Sequence, residues 1–285
     1  MTAERSGAPG TLTVVATPIG NLGDLSARAR AVLASVDVLA CEDTRRTGRL
    51  LALAGIAPPK LVSLHAHNEH ERTAALVDDL LAGADVALVS DAGTPLVSDP
   101  GERLVSAAAV AGVEVVAVPG PSALLAALVV SGMATARWRF EGFLPRKGPE
   151  RRSRIAEIAA APHPSVVYES PVRLGATLAE LAAACGDERR VVVARELTKL
   201  HEQTWRGTLA ESVAHVRESA PRGEHVVVVD AAPPARAAEQ DAVASAVADL
   251  VAAGLARRDA VTAAVVLLGA SRRDAYAAAV ELPRS

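Results

Sequence analysis

The sequence is poor in aromatic residues, which make up 2% of its 285 residues, and it has only two cysteines, Cys41 and Cys185. Both cysteines lie in apolar segments at unrelated positions, which indicates reduced thiols and excludes a disulfide framework or a cysteine-based metal cluster. No apolar run reaches the roughly 18 residues of a membrane helix, and Met1–Gly10 lacks the apolar core of a signal peptide. We therefore expect a cytoplasmic protein with no membrane partner.

Three well-known ligand-binding and nucleophile motifs are also missing. The first predicted strand is not followed by G-x-G-x-x-G, and the chain has neither a G-x-x-x-x-G-K-[ST] loop nor a G-x-S-x-G elbow. These absences argue against a dinucleotide-binding turn, a P-loop nucleotide site and a serine-hydrolase nucleophile. The formal net charge of -3 argues against a protein that is basic all over, but it does not exclude a local basic face.

The hydrophobic content is 50%, much of it alanine, which is enough for the cores of two domains. Short apolar runs alternate with helical patterns up to about Ser131, and this order predicts a parallel sheet with right-handed crossovers. Near Met133 the pattern shifts towards a mixed, partly antiparallel sheet. We predict an α/β protein with four parts: a flexible arm (1–11), an N-terminal α/β domain (12–133), a C-terminal α/β domain (134–232) and a helical tail (240–285).

The stretch Val86–Glu102 organises the first of these domains. It begins as an apolar run typical of a strand that is buried on both faces. It ends in a predicted helix start, with Asp99 as the cap, Pro100 at the first helical position and Glu102 completing a capping box. Asp91 lies where the strand ends, and ligands of open α/β sheets bind outside the carboxyl ends of the strands. Asp91 is therefore either a ligand-binding residue or a residue that hydrogen-bonds its own loop.

Three predicted strand-to-helix turns are built from proline and glycine. They are Pro18-Ile-Gly20, Asp91-Ala-Gly-Thr-Pro95 and Pro119-Gly-Pro-Ser122. Such turns are stiff and let the backbone approach a ligand closely. They suit a ligand that is held by carbonyls, amides and a single acid rather than through phosphates.

Six motifs carry a resemblance to a known family. They are Thr17-Pro-Ile-Gly-Asn-Leu, Cys41-Glu-Asp-Thr-Arg-Arg-Thr, Val89-Ser-Asp-Ala-Gly-Thr-Pro, Pro119-Gly-Pro-Ser, Tyr168-Glu-Ser and Ala194-Arg-Glu-Leu-Thr-Lys. The chain resembles the tetrapyrrole-methylase superfamily, whose members bind S-adenosylmethionine in a cleft between two α/β domains. Within it, the chain is similar to the enzymes that methylate a cytidine 2′-oxygen in 16S ribosomal RNA. The resemblance runs from about Leu12 to Asp230.

The resemblance implies a donor site on the three turns, covered from the second domain. The implied residues are Pro18, Ile19, Gly20, Asp91, Gly93, Thr94, Gly120, Ser122, Ala123, Tyr168 and Ala194. The hydroxyl and ammonium groups of the donor suit a carboxylate and backbone carbonyls, while its adenine suits an apolar slot.

The second predicted strand is followed by an acidic tetrad, which consists of Glu42, Asp43, Thr44 and Arg45. Paired acids at this rim indicate a general base or a group that orients the attacking hydroxyl. Alternatively, Asp43 caps the next helix and Arg45 forms a surface ion pair. We favour Glu42 as the acid near the hydroxyl and Asp43 as the cap. Glu196 and Lys199 of the second domain either form the wall of the catalytic site opposite this tetrad or make a structural ion pair.

A basic stretch with interleaved aromatic residues follows the first domain. Its predicted RNA-binding residues are Arg146, Lys147, Arg151 and Arg152. Charge next to stackable rings suits RNA, although a solvated face has the same composition. The tail reads as helix, turn, helix, which suits either nucleic-acid docking or a packing or dimerisation appendage.

His65, His67 and His70 could ligate zinc, but no cysteine or buried acid stands near them in the sequence. We expect loop histidines with a helix cap at Asn68, and no metal.

We therefore predict an S-adenosylmethionine-dependent methyltransferase that acts on the small ribosomal subunit and forms a homodimer. A carbon methylase of a tetrapyrrole and a non-catalytic RNA-binding module are the alternatives. The basic stretch and the tail favour RNA, because a small acidic macrocycle requires neither.

Overall fold

A computed structural model describes residues 8–218, 221–233 and 240–282. The predicted flexible arm falls largely on residues 1–7, which lie outside the described residues, and the last three residues of the predicted tail do so as well. The chain forms two compact units, Met1–Ala231 and Ala232–Ser285.

The first sheet is parallel and has the strand order β3-β2-β4-β1-β5. Its strands are β1 (Thr11–Val15), β2 (Val38–Cys41), β3 (Lys60–Ser63), β4 (Val86–Val89) and β5 (Glu114–Val118). The helices that follow them are α1 (Ala27–Ser35), α2 (Thr44–Ala54), α3 (Glu69–Leu81), α4 (Glu102–Val110) and α5 (Ala123–Val130). The predicted alternation of strands and helices is confirmed.

Helices α1 and α2 pack on one face of this sheet, through Leu33 and Leu51, and helices α3 and α4 pack on the other, through Leu80 and Leu104. The chain therefore leaves the adjacent strands β1 and β4 towards opposite faces. A crevice forms where connections diverge in this way, outside the carboxyl ends of the strands. The turns that follow β1 and β4 lie at this crevice.

The second sheet is mixed, with the order β6-β7-β10-β8-β9, and only its β6–β7 pair is parallel. Its strands are β6 (Arg139–Phe143), β7 (Ser165–Glu169), β8 (Arg190–Arg195), β9 (Gln203–Thr208) and β10 (His225–Val229). Its helices are α6 (Pro149–Ala160), α7 (Pro171–Cys185) and α8 (Leu209–Glu218), which cover one face. A parallel α/β sheet followed by a mixed one is the predicted fold class.

The opposite face of the second sheet is covered by α5. Leu124 and Leu128 pack against Val166, Val192 and Val228 in one buried cluster. The loops after β1 and β4 add apolar side chains to the same cluster, so the two sheets share a core and belong to one compact unit.

The predicted start of α4 is wrong. The helix begins at Glu102, and its N-cap is Gly101, whose φ of 123° suits glycine. A Glu69 carboxylate oxygen on α3 accepts hydrogen bonds from Gly101 N, at 3.1 Å, and from Arg103 N, at 2.9 Å. Because α3 supplies this cap, the Asp99 side chain does not cap α4.

The second unit contains α9 (Gln240–Ala252), α10 (Arg257–Leu268) and α11 (Arg272–Glu281), which pack through small side chains such as Ala260 and Ala275. Gly269 ends α10 with a φ of 64°, and the Ser271 hydroxyl caps α11. The predicted helix–turn–helix order is confirmed. None of the helices that the structure describes has the length and apolar character needed to cross a membrane.

Candidate functional site

A cavity of about 420 Å³ lies where the turns after β1, β4 and β5 face the second sheet. Cavities of this size hold drug-sized ligands and cofactors. Seven of the eleven predicted donor-binding residues line it: Ile19, Gly93, Thr94, Ser122, Ala123, Tyr168 and Ala194. The structure therefore places the three turns, Tyr168 and Ala194 around one cavity.

The three turns are bonded to one another. Thr17 and Gly93 exchange two backbone hydrogen bonds, at 2.9 and 3.0 Å. The Thr94 hydroxyl donates to the Pro121 carbonyl at 3.0 Å. Gly93 has a φ of 84°, and a Cβ there would lie 3.3 Å from Ile19 Cγ2. This turn therefore requires glycine, and the cavity wall is held rigidly.

Pro18, Gly20 and Gly120 shape the turns without lining the cavity. A Cβ on Gly20 would lie 2.3 Å from Lys199 Cγ, because the lysine stem lies across this glycine. A Cβ on Gly120 would lie 3.0 Å from Ala16 Cβ. Both glycines thus permit close packing behind the cavity surface.

Asp91 anchors the neighbouring turn. Its Oδ1 accepts a hydrogen bond from Asp43 N at 3.1 Å, and its Oδ2 pairs with Arg46 Nη1 at 3.0 Å. Asp91 does not line the cavity, whereas Arg46 does. The carboxylate therefore holds a cavity-lining cation and the start of α2 in place.

Aromatic side chains form part of the wall on the side of the second sheet. The Tyr168 hydroxyl accepts a hydrogen bond from Leu124 N at 3.1 Å, which fixes the ring against the start of α5. Phe140 and Phe143 lie beside it, with ring centroids 5.0 and 5.6 Å away. Burial raises the pKa of Tyr168, so the phenol stays neutral.

Strained backbone is concentrated at the cavity. Among the described residues, the non-glycine residues with positive φ are Leu96 (73°), Ser98 (71°), Glu196 (51°) and Thr198 (67°). They lie in two loops that border the cavity, and such outliers cluster at functional sites. In the second loop, Lys199 Nζ pairs with Glu196 Oε1 at 2.7 Å, and both residues line the cavity.

The acidic tetrad after β2 does not line the cavity. The predicted cap at Asp43 is confirmed, since its Oδ1 accepts hydrogen bonds from Arg45 N and Arg46 N. Hydrogen bonds from Arg45 hold the pKa of Asp43 at about 2. Glu42 differs, because burial and then the charge of Asp91 raise its pKa.

Sequence reasoning missed Asp99 as a site residue. Asp99 lines the cavity together with Glu224, which comes from the segment before β10. Burial, and then the negative charges of Glu42, Asp91 and Glu224, raise the pKa of Asp99 to about 6, against a hydrogen bond with Ser90 that lowers it. The sequence does contain a signal, a second acid in the loop after β4, but the residues around it favour a helix cap.

The basic stretch divides into exposed and buried residues. Arg146, Lys147 and Arg152 are exposed. The RNA-binding prediction for Arg151 is wrong, because this residue is only 6% exposed and its Nε pairs with Glu180 Oε2 at 2.8 Å. Its guanidinium is buried between α6 and α7, where it is closed to a phosphate.

His65 and His67 lie in the loop before α3, whereas His70 lies in the first turn of the helix. Asn68 occupies the N-cap position of α3, as predicted, but its side chain accepts a hydrogen bond from His65 N and makes none to the helix. His65 and His67 lie edge to face, with centroids 5.9 Å apart. Within the part of the chain that the structure describes, no group of three or more histidine, cysteine, aspartate or glutamate residues could hold a metal ion.

Comparison with known proteins matches residues 11–213 to the family model described as tetrapyrrole (corrin/porphyrin) methylases. A protein of Synechocystis sp. named ribosomal RNA small subunit methyltransferase I is 47% identical over 225 residues, covering 79% of this chain and 80% of that protein. A protein of the same name from Vibrio cholerae is 49% identical over 226 residues, covering 79% and 78%.

Solved structures show the same fold at low identity. The methyltransferase CobJ is 21% identical with a TM-score of 0.60, covering 78% of this chain and 95% of that one. A uroporphyrin-III C-methyltransferase of Thermus thermophilus, complexed with S-adenosyl homocysteine, is 22% identical with a TM-score of 0.53, covering 77% and 96%. The two-sheet architecture is common to these proteins.

Proposed function

The chain belongs to the tetrapyrrole methylase family, and from that premise we propose that it methylates a cytidine 2′-oxygen in 16S ribosomal RNA, with S-adenosylmethionine as donor. Relatives at 47% and 49% identity, over about four fifths of the chain, are named as small-subunit ribosomal RNA methyltransferases. The cavity where the three mutually bonded turns meet the second sheet is the observation that carries the proposal.

The cavity suits the chemistry of this donor. Ile19, Val97 and Leu197 offer an apolar surface for an adenine ring. The turns present backbone groups, and Ser122 and Asp99 add a hydroxyl and an acid that can bind ribose hydroxyls or an ammonium group. The cavity thus combines apolar surface with polar groups that can fix the orientation of a ligand, as cofactor sites do.

The proposed reaction is a direct displacement. A bond forms between the ribose oxygen and the methyl carbon, the carbon–sulfur bond breaks with its electron pair left on sulfur, and the hydroxyl proton passes to a carboxylate. Rigid turns favour this step, because holding the reacting atoms about 3–3.5 Å apart supplies much of the acceleration. Glu42, Asp43, Arg45, Glu196 and Lys199 are proposed to line the acceptor side, where Lys199 already crosses Gly20 of the donor turn.

Methyl transfer from labelled donor to purified small subunits, followed by nucleoside mass mapping, tests the function. We expect one labelled 2′-O-methylcytidine. Label on a uroporphyrinogen-type macrocycle and none on RNA would favour the carbon methylase. Subunit binding without transfer would favour the non-catalytic module.

The exposed basic residues are proposed to bind RNA phosphates. Replacing Arg146, Lys147 and Arg152 with alanine should weaken subunit binding and reduce the slope of log affinity against log salt by roughly 2–3, because each lost phosphate contact removes about 0.7–0.9. Donor affinity should not change. Filter binding across a salt series measures this effect.

A matched control removes the same charge from elsewhere on the surface. Arg28, Arg72 and Arg217 are exposed and lie on α1, α3 and α8. Their triple alanine variant should keep the wild-type salt slope. Equal slopes in both triple variants would show that the basic stretch is only a solvated face.

We also propose that the protein is a cytoplasmic homodimer. Helix α5 exposes Leu125 (48%), Val129 (70%) and Val130 (39%), which gives it an apolar outer face. Such a face is typical of an interface between subunits. Sedimentation equilibrium should give twice the chain mass, and a Val129→Asp variant should sediment as a monomer.

A further inference from the structure

Phe143, the last residue of β6, lines the cavity and is still open to solvent. The residue is 43% exposed, although the whole sequence has only two phenylalanines, two tyrosines and two tryptophans. Its aromatic neighbours Phe140 and Tyr168 are partly buried and pack against the apolar cluster under α5. The exposed part of the Phe143 ring is therefore a surface that a ligand at the cavity mouth can cover.

A β-bulge in β6 turns Phe143 towards the cavity. Phe140 lies opposite Val166 of β7. Phe143, three residues later, lies opposite Tyr168, which is only two residues after Val166. The extra residue is accommodated beside Gly142, whose φ is 60°. Side chains alternate between the faces of a regular strand, so without the bulge Phe140 and Phe143 would lie on opposite faces. With the bulge, both rings lie beside Tyr168, on the face that α5 covers.

Tyr168 holds the Phe143 ring next to the predicted donor site. The two ring centroids lie 5.6 Å apart, and the ring planes are tilted by 57°. The Tyr168 hydroxyl is itself fixed by a hydrogen bond from Leu124 N, at the start of the helix that follows the third donor turn. A planar group stacked on Phe143 would therefore lie beside the donor, at the mouth of the cavity rather than on the apolar surface proposed for adenine.

The exposed cations of the basic stretch begin just after Phe143. Arg146 and Lys147 follow it by three and four residues, and both are exposed. Even a fully extended chain would place the backbone of Arg146 within about 11 Å of that of Phe143. Cations beside an exposed ring are the combination that binds single-stranded nucleic acid, because the cations contact phosphates and the ring stacks on a base.

We propose that the base of the nucleotide to be methylated stacks on Phe143, which places its ribose towards the donor turns. This inference rests on the proposed function and adds the surface that holds the acceptor. Proteins commonly bind unstacked RNA bases by stacking them on aromatic side chains. Because every base has a π-face, Phe143 contributes affinity and position, and the choice of base depends on other contacts.

Filter binding of small subunits to Phe143 variants tests this role. Phe143→Ala should weaken binding by about 5- to 150-fold, the loss typical of one base–aromatic stacking contact. Phe143→Leu should lose most of the same affinity, because leucine keeps the apolar volume but has no π-face. Phe143→Trp should keep most of the wild-type affinity. S-adenosylhomocysteine affinity and the melting temperature should stay close to wild-type values in all three variants.

The matched control is Leu53→Ala, which truncates an apolar side chain on α2 that is 64% exposed and does not line the cavity. This variant should bind subunits as the wild type does. Single-turnover methylation, at subunit concentrations well below the dissociation constant, should fall in Phe143→Ala by at least the factor lost in affinity and should be unchanged in the control.

The salt dependence separates stacking from phosphate binding. An uncharged ring releases no counterions, so Phe143→Ala should lower the affinity at every salt concentration and keep the wild-type slope of log affinity against log salt. The triple alanine variant of Arg146, Lys147 and Arg152 should instead reduce that slope. A reduced slope in Phe143→Ala would show that the ring only positions the basic stretch, and would overturn the inference.

Each other result also has one meaning. Wild-type subunit affinity in folded Phe143→Ala, or in Phe143→Leu, would overturn the inference while the proposed function stands. Weakened S-adenosylhomocysteine binding in either variant would place the ring on the donor and overturn the inference as well. If Phe143→Ala does not fold, equal subunit affinities of Phe143→Leu and Phe143→Trp overturn it instead. A wild-type protein that transfers no methyl group to small subunits would refute the proposed function itself.

Discussion

Replacing Asp91 with alanine should weaken S-adenosylhomocysteine binding by about ten- to a hundredfold and leave the protein folded. Both carboxylate oxygens are in use, since Oδ1 accepts from Asp43 N and Oδ2 pairs with Arg46 Nη1. A loss of about 1.5–3 kcal/mol, the typical cost of losing one charge-assisted hydrogen bond, gives the expected range. Calorimetry measures the affinity, and a thermal melt checks the fold.

Two further variants show how Asp91 acts. Asp91→Asn keeps an acceptor for Asp43 N but removes the charge that holds Arg46. If Asp91 acts through Arg46, then Arg46→Ala should reproduce most of the loss, and the double variant Asp91→Ala/Arg46→Ala should be little worse than either single variant. Additive losses would show that Asp91 contacts the ligand itself. Unchanged affinity in a folded Asp91→Ala would remove Asp91 from the site.

The fold could be predicted because it follows from local patterns of apolar and polar residues along the sequence. Short apolar strands separated by helices require parallel pairing with crossovers, and the proline–glycine turns marked where the strands end. The same turns gave the residues of one cavity wall. Their mutual bonds could not be read from the sequence, because they join separate segments of the chain: Thr17 with Gly93, and Thr94 with Pro121, which lies 27 residues further along.

The place of Asp99 in the cavity wall was hidden by a competing local signal. The sequence Asp99-Pro-Gly-Glu102 fits a capping box, which is a rule about neighbouring residues. The actual cap comes from Glu69, 32 residues before Gly101, so a tertiary contact caps the helix in place of a neighbouring residue. This cap depends on the packing of α3 against α4, which the local sequence does not reveal.

Helix α5 shows a second limit of pattern reasoning. Its sequence, Ala123–Val130, is apolar on every side, so no periodicity indicates which face is buried. We assigned this segment to the first domain on chain order. The structure packs it on the second sheet, where it helps to close the cavity.

Charge density also misled the RNA-binding assignment at Arg151. Neighbouring residues on a helix point about 100° apart, so Arg151 and Arg152 of α6 face different surroundings. Arg151 donates to Glu180 Oε2 at 2.8 Å, to Thr177 Oγ1 at 2.9 Å and to the Pro145 carbonyl at 3.0 Å. It is thus part of the packing of the second domain, while Arg152 is exposed.

This difference gives a paired prediction. Arg151→Ala should lower the free energy of unfolding by about 2–3 kcal/mol, since it breaks a buried hydrogen-bond network and leaves a small cavity. The melting temperature should then fall by roughly 5–10 °C, given about 2–4 °C per kcal/mol for a unit of this size. Arg152→Ala should barely change the melting temperature but should weaken subunit binding, with a smaller salt slope.

Arg151→Lys tests the network further. Lysine keeps the charge but lacks the planar guanidinium with which arginine bonds three partners, so most of the stability loss should remain. Thr177 would be left with its donor bond to the fully buried Glu169 Oε2, at 2.6 Å, and without its acceptor bond from the arginine. Thermal melts of the three variants, with subunit binding measured well below their melting temperatures, separate the two roles. Equal stability of Arg151→Ala and Arg152→Ala would contradict the structural assignment, and reduced binding by folded Arg151→Ala alone would restore Arg151 to the RNA surface.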